Sequence, residues 1–196
     1  ASTSRMNRGG NGHVWGESNS KTPDQMAQES KEHVTNGFKA IKFGWGNYFG
    51  SDGEEALHAI REAIGPNIRL MLDFGCPDYF AEGWNVKDAI RVAKLLDKYD
   101  IFFLEEPLNP YDVNGFSALT RESPIKIATG ESLTTIRDFQ TFIERRAVDI
   151  LQPDAQQMGI TQFHRVAQRS EETGILCIPH CPWTVMAVAS HLNVLA

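Results

Sequence analysis

Apolar positions along this chain follow two alternating rhythms. Short apolar runs, stopped by Gly, Pro or Asp, alternate with longer stretches in which apolar residues recur every three or four positions. The first rhythm is that of strands buried on both faces, the second that of amphipathic helices. Ala40-Ile41-Lys42-Phe43, Ile68 to Asp73, Ile101 to Glu105, Ile125 to Ala128, Asp149 to Asp154 and Ile175 to His180 read as strands, with His13-Val14-Trp15-Gly16 as a weaker first one. Between them the spacing predicts helices from Thr22-Pro23 to Asn36-Gly37, Asp52 to Ile64, a segment capped by Asn85, Val113 to Arg121, Ile136 to Ala147, Ile160 to Thr173 with Gly174 as its stop, and Val185 to Ala196. The start and stop signals are hydroxyl or amide caps and closing glycines.

Strict strand–helix alternation makes a parallel sheet with right-handed crossovers, as a barrel or as an open doubly wound sheet. A closed eight-stranded barrel usually takes about 250 residues. At 196 residues the chain is short of one unit. The expectation is an α/β fold of the (β/α)8 TIM-barrel type, incomplete at about seven units, over residues 13–196. Residues 1–12, rich in Ser, Asn, Arg and Gly, read as a tail or linker remnant.

Strand ends carry the candidate chemistry. Lys42, Asp73, Glu105, Glu131, Asp154 and His180 are separated by 31, 32, 26, 23 and 26 residues, each about one strand–helix unit. Equal phase sets these groups at one height on the carboxyl-terminal rim. In a barrel that rim surrounds a single cavity; in an open sheet only two or three would meet near a switch point. A ladder this long favours the barrel. Three carboxylates in one cavity repel unless a hard cation gathers them, and all-oxygen ligation with room for substrate and water suits Mg²⁺. Asp73, Glu105 and Glu131 are the natural set. Asp154 and His180 end consecutive strands, and a carboxylate beside an imidazole fixes its tautomer and raises its basicity, as a general base requires. The run Phe102-Phe103-Leu104-Glu105-Glu106-Pro107 adds a second acid next to the first, and two buried acids call for a cation nearby.

Bulk composition narrows the rest. With 41% hydrophobic and 22% charged residues the chain is ordinary globular material, and a net charge of −6 without a basic block argues against nucleic acid or an anionic membrane as partner. No apolar run reaches the roughly 20 residues of a membrane span. Three cysteines, Cys76, Cys177 and Cys181, are too few for a disulfide framework, and the cytoplasm is the expected compartment. Cys177, His180 and Cys181 imitate a soft-metal motif, but strand geometry points His180 away from the thiols. Trp45 and Trp183, near the ladder, can wall a pocket or simply pack.

Taken together, Gly37-Phe38-Lys39-Ala40-Ile41-Lys42, Leu72-Asp73-Phe74-Gly75, Leu104-Glu105-Glu106-Pro107, Gly130-Glu131-Ser132, Gln152-Pro153-Asp154 and Ile178-Pro179-His180-Cys181-Pro182 resemble the barrel domain of the enolase superfamily. The resemblance lies in the mandelate racemase and muconate lactonizing branch, and more narrowly with its acid-sugar dehydratases. It implies that Asp73, Glu105 and Glu131 bind Mg²⁺, with Glu106 supporting them without ligating. It implies a small-molecule carboxylate substrate, an acid sugar. An enediolate forms as the α-proton leaves, and water is eliminated to give a 2-keto-3-deoxy acid. His180, oriented by Asp154, would be the base, the acid for the departing hydroxyl, or both. Lys42 matches the first lysine of the family's Lys-x-Lys motif.

The chain departs from that pattern in three places. The second lysine position is Gly44, and the position where some dehydratases carry a further histidine is Gly75. With one evident proton carrier, elimination is favoured over racemisation or epimerisation. The capping domain that precedes such barrels and the last barrel unit are not in this sequence, so an inactive barrel fragment that retains the metal site is the alternative reading. An uncovered barrel edge is apolar and unpaired, so the expectation is a chain that is poorly stable or associates with itself, as a homo-oligomer.

Overall fold

The computed structural model describes residues 2–5, 21–44, 51–75, 84–180 and 185–196. Its strands are β1 (Ser2–Arg5), β2 (Ala40–Gly44), β3 (Arg69–Asp73), β4 (Ile101–Glu105), β5 (Lys126–Thr129), β6 (Ile150–Leu151) and β7 (Leu176–Cys177). The helices are α1 (Pro23–Thr35), α2 (Ser51–Ile64), α3 (Val86–Leu96), α4 (Val113–Glu122), α5 (Ile136–Arg145), α6 (Ala155–Met158), α7 (Ile160–Thr173) and α8 (Val185–Leu195). The strands form one parallel sheet in the order β1-β2-β3-β4-β5-β6-β7. Each strand lies beside its predecessor in sequence, with no reversal of order and hence no switch point. That is barrel topology rather than a doubly wound sheet.

One expectation needs correcting. Ser2–Arg5, inside the stretch read as a tail, is a strand paired with β2, Ser2 beside Ile41 and Arg5 beside Gly44. Its sequence has no apolar rhythm, because what places it is the backbone ladder along the edge of β2. The weak strand expected at His13-Val14-Trp15-Gly16 lies outside the described residues.

The helix limits follow their local chemistry. Thr22 caps α1 in a reciprocal box with Gln25, and Thr135 does the same for α5 with Asp138. Asn85 accepts the Lys87 and Asp88 N–H groups at the start of α3. Buried Ala56, Leu57, Ile60, Ala89, Val92, Leu96, Phe116, Leu119, Phe139, Phe142, Phe163 and Val166 form the layer between helices and sheet, against Leu70, Leu72, Leu104, Ile127 and Leu151 on the outer strand face. A smaller cluster, Met71, Phe103, Ala128 and Ile150, fills the inner face.

A register shift between β3 and β4 connects this packing to the strand ends. Leu70 pairs with Ile101, but Met71 pairs with Phe103, so Phe102 is an extra residue in the ladder. It packs with the inner cluster, flanked by the Arg69 guanidinium at 4.8 Å and the Lys126 ammonium at 4.9 Å from its ring centre. The bulge brings Glu105, instead of Leu104, level with Asp73.

Arg61, in the last turn of α2, fixes the opposite ends of the same two strands. Its guanidinium donates to the carbonyls of Gly65 at 3.0 Å, Ile68 at 2.9 Å, Tyr99 at 2.9 Å and Asp100 at 2.7 Å. One side chain thus ties the segment entering β3 to the turn entering β4, where Asp100 takes a left-handed φ of 51°. Arg61→Met leaves this group of carbonyls without their donor. It is expected to lower stability by roughly 2–3 kcal/mol, read as a lower urea midpoint at unchanged slope.

Candidate metal and acid–base site

At the carboxyl end of the sheet, Asp73 and Glu105 sit side by side on β3 and β4. Lys42, from the middle of β2, extends between them, its Nζ 3.1 Å from Asp73 Oδ2 and 2.6 Å from Glu105 Oε2. Burial works against the Lys42 ammonium, yet the charges and hydrogen bonds of Glu105 and Asp73 together hold its pKa well above the ordinary lysine value. Glu105 is fully buried. Burial, and then the Asp73 charge, push its carboxyl pKa upward, against the pull of Lys42 and a hydrogen bond from the Gln152 side chain.

Glu106, the next residue, turns away. Its backbone is left-handed at φ 49°, and its N–H donates to Ala128 O at 3.0 Å. Glu106 Oε1 accepts from Thr129 Oγ1 at 2.6 Å and from the Gly130 N–H at 2.8 Å. Burial drives its carboxyl up to about 7 despite those two bonds. Gly130 is needed at this junction. Its φ is +133°, and a Cβ there would lie 2.8 Å from Phe139 Cε1 and 3.0 Å from Gln152 N. Glu106 and Gly130 between them set where Glu131 leaves β5. Burial, then the charges of Glu106, Asp73 and Glu105, push the Glu131 carboxyl up to about 8.

His180 completes the rim. Its Nδ1 is 3.0 Å from Asp154 Oδ2 and its Nε2 is 3.2 Å from Glu131 Oε2. Asp154 is an acceptor, so the assigned neutral tautomer carries its proton on Nδ1, and the Nε2 lone pair accepts from the Glu131 carboxyl, whose raised pKa favours the protonated form at pH 7. Burial lowers the His180 pKa, against the hydrogen bond and charge of Asp154, which favours the neutral ring at pH 7.

The residues of the strand-end ladder therefore meet in two groups: Lys42 with Asp73 and Glu105, and His180 with Asp154 and Glu131. Among the described residues, no three His, Cys, Asp or Glu side chains form a ready-made metal cage; the Lys42 ammonium is the cation that Asp73 and Glu105 share. The donor set nevertheless fits a hard divalent cation. It is made wholly of carboxylates, and among the described residues Glu105 Oε1 is buried with no hydrogen-bond partner within 3.5 Å. Four buried or partly buried acids around one lysine leave negative charge to be neutralised.

Other readings resolve more simply. Cys177 is partly buried, its thiol pushed up to about 12 by burial, and both His180 nitrogens face carboxylates rather than sulfur. Cys181, Trp45 and Trp183 lie outside the described residues. Trp84 stacks on Phe74, just beyond Asp73, with ring centres 3.7 Å apart. Sequence reasoning missed Thr129 and His191, which hold Glu106 and adjoin Asp154 respectively. Thr129 follows three ordinary strand residues, and His191 sits in an apolar helix, so neither announces a polar role.

A parallel β/α sheet in barrel order, with its acids, lysine and His–Asp pair gathered at the carboxyl rim, defines a class of barrel proteins. Residues 25–196 match the family model described as enolase C-terminal domain-like, and the chain belongs to that family. It is 32% identical over 171 residues to the L-talarate/galactarate dehydratase of Salmonella typhimurium, covering 87% of this chain and 41% of that protein. Among solved structures, the 3,6-anhydro-D-galactonate cycloisomerase of Zobellia galactanivorans superposes with a TM-score of 0.80 at 27% identity, over 98% of this chain and 50% of that one. The L-talarate dehydratase of Polaromonas sp. JS666, solved with Mg and L-glucarate, gives 0.75 at 29% identity over 85% and 45%. The chain thus spans about half the length of these proteins or less. Among the described residues no helix is long and apolar enough to cross a membrane.

Thr129→Val keeps the shape of its side chain while removing a donor from buried Glu106. It is expected to cost about 1–3 kcal/mol, measured by urea denaturation; an unchanged midpoint would show that the Glu106 bond carries no weight.

Proposed function

We propose that this chain is the barrel portion of a Mg²⁺-dependent hydro-lyase that removes water from an acid sugar to give a 2-keto-3-deoxy acid. The observation that carries the proposal is the His180 ring, held by Asp154 on one nitrogen and facing the acid cluster with the other. Asp73, Glu105 and Glu131 would hold the metal. When bound, the ion would supply Lewis-acid stabilisation of the charge that builds on the substrate carboxylate.

The remaining chemistry belongs to side chains of this chain. His180 Nε2, lone pair outward and ring neutral near pH 7, takes the α-proton, and the same nitrogen then returns a proton to the departing hydroxyl. Asp154 holds the ring in that orientation and stabilises it while it is charged. Lys42 remains protonated between two carboxylates, so it supports negative charge rather than accepting a proton. Glu106 keeps the β5 end in place through Thr129 and the Gly130 N–H.

A two-base racemase or epimerase fits less well. The position of the second lysine is Gly44, where a Cβ would meet Asp73 Cβ and Asp73 O at 2.7 Å. Glycine there is enforced by contact with a proposed metal ligand. A lysine cannot be placed at position 44 without moving Asp73.

Two measurements test the proposal. A panel of acid sugars with Mg²⁺ is expected to yield 2-keto acid, and His180→Asn to lower turnover by at least about 10²-fold. Absence of turnover across the panel would favour an inactive barrel fragment. Mg²⁺ is also expected to raise the melting temperature, an effect abolished in Asp73→Asn and Glu131→Gln. A melting curve indifferent to Mg²⁺ would overturn the metal assignment.

Self-association is part of the same reading. Val185 is 85% and Met186 72% exposed, and Leu192 and Leu195 on the same helix are also exposed, an apolar face that association would cover. Sedimentation is expected to give a homo-oligomer; a monomer at micromolar concentration would refute this.

A further inference from the structure

His191, on α8, has no part in the reading above. It is 4% exposed, and its ring stands edge-on to Phe163 of α7, centres 5.2 Å apart at 86°. Its Nε2 accepts the Ala155 backbone N–H at 2.9 Å and lies 3.4 Å from Asp154 Oδ1. Its Nδ1 is buried with no hydrogen-bond partner among the described residues. An accepting Nε2 places the proton of the neutral ring on Nδ1, so this imidazole is buried with an unsatisfied donor. An aromatic hydrocarbon in the same slot would avoid that penalty, so packing alone does not explain a histidine here.

The explanation lies in what Asp154 must otherwise do. Asp154 begins α6, where backbone N–H groups lack intrahelical partners and compete for any nearby carboxylate. Its Oδ1 already takes the Gln156 N–H at 2.7 Å. Its Oδ2 reaches His180. The Ala155 N–H, at the first helical position, is not served by the cap oxygens, and His191 takes it. Without His191 that buried donor loses its acceptor, and the turn that carries Asp154 must shift to satisfy it, which moves the carboxylate off His180.

We infer that His191 is a positioning residue for the Asp154–His180 pair: by accepting the Ala155 N–H, it anchors the turn that carries Asp154 and so keeps Oδ2 where it fixes the His180 tautomer. The inference rests on the reading of that pair as the acid–base group, yet its test needs no substrate.

The test is nitrogen-detected NMR of the histidine rings in the 196-residue chain. Wild type is expected to show His191 protonated on Nδ1 and His180 in one tautomer, also protonated on Nδ1. In His191→Phe, which keeps the ring but not the acceptor, His180 is expected to become a mixture of tautomers. His191→Gln, whose amide oxygen can accept the same N–H, is expected to restore the single form. A purely structural His191 would lower the melting temperature of the variants and leave the His180 signals in place, and that result overturns the inference. A His191 protonated on Nε2 overturns it as well, and is read on wild type even if His191→Phe does not fold. Loss of turnover with the predicted tautomer shifts intact would count against the dehydratase reading alone.

Discussion

Like charges buried together are the constraint around which this molecule is arranged. Asp73, Glu105, Glu106 and Glu131 are within electrostatic reach of one another in a largely dry rim. A protein interior tolerates that only if each carboxylate is paired, protonated or gathered by a cation. The chain uses three devices for the four. Lys42 is shared by two, Thr129 and the Gly130 N–H hold a third, and the fourth stands against His180. Burial, with mutual repulsion added to it, still raises the carboxyl pKa values of Glu105, Glu106 and Glu131. The arrangement is costly to the fold, and it becomes intelligible only through what it can bind and do.

The rest of the sheet keeps those acids in phase. Strands are stiff rods, so the height at which they finish is decided where they begin. Arg61 fixes the entries of β3 and β4 with a single guanidinium, and the Phe102 bulge inserts the residue that brings Glu105 level with Asp73. The three residues of one alignment, Arg61, Phe102 and Glu105, are thus spread from one end of the sheet to the other.

Much of this could be read from sequence, for identifiable reasons. Helix limits were legible because caps are local: Thr22, Asn85 and Gly174 mark the ends of α1, α3 and α7 by chemistry within a few residues. The ladder of strand ends was legible because a repeating unit converts spacing into height, and the contacts of Asp154 with His180 and of Lys42 with Asp73 follow from it. What escaped has no such periodicity. β1 is polar and is placed by a neighbour's backbone. The bulge at Phe102 hides in an apolar run, where one extra residue changes nothing in the pattern. The short helix α6 is too brief to show an amphipathic face. His191 was invisible because its partner is a main-chain N–H, which every residue has and no sequence marks.

Gly44 bears on how such a barrel changes over evolutionary time. A position vacated by a lysine is usually open to its return by one substitution. At position 44 the backbone and Cβ of Asp73 stand where a side chain would begin. Regaining a base on that face requires at least two coordinated changes, the first of which damages the acid cluster before the second can help. Descent from a two-base ancestor would therefore run easily in one direction and poorly in the other, a ratchet made of a single van der Waals contact.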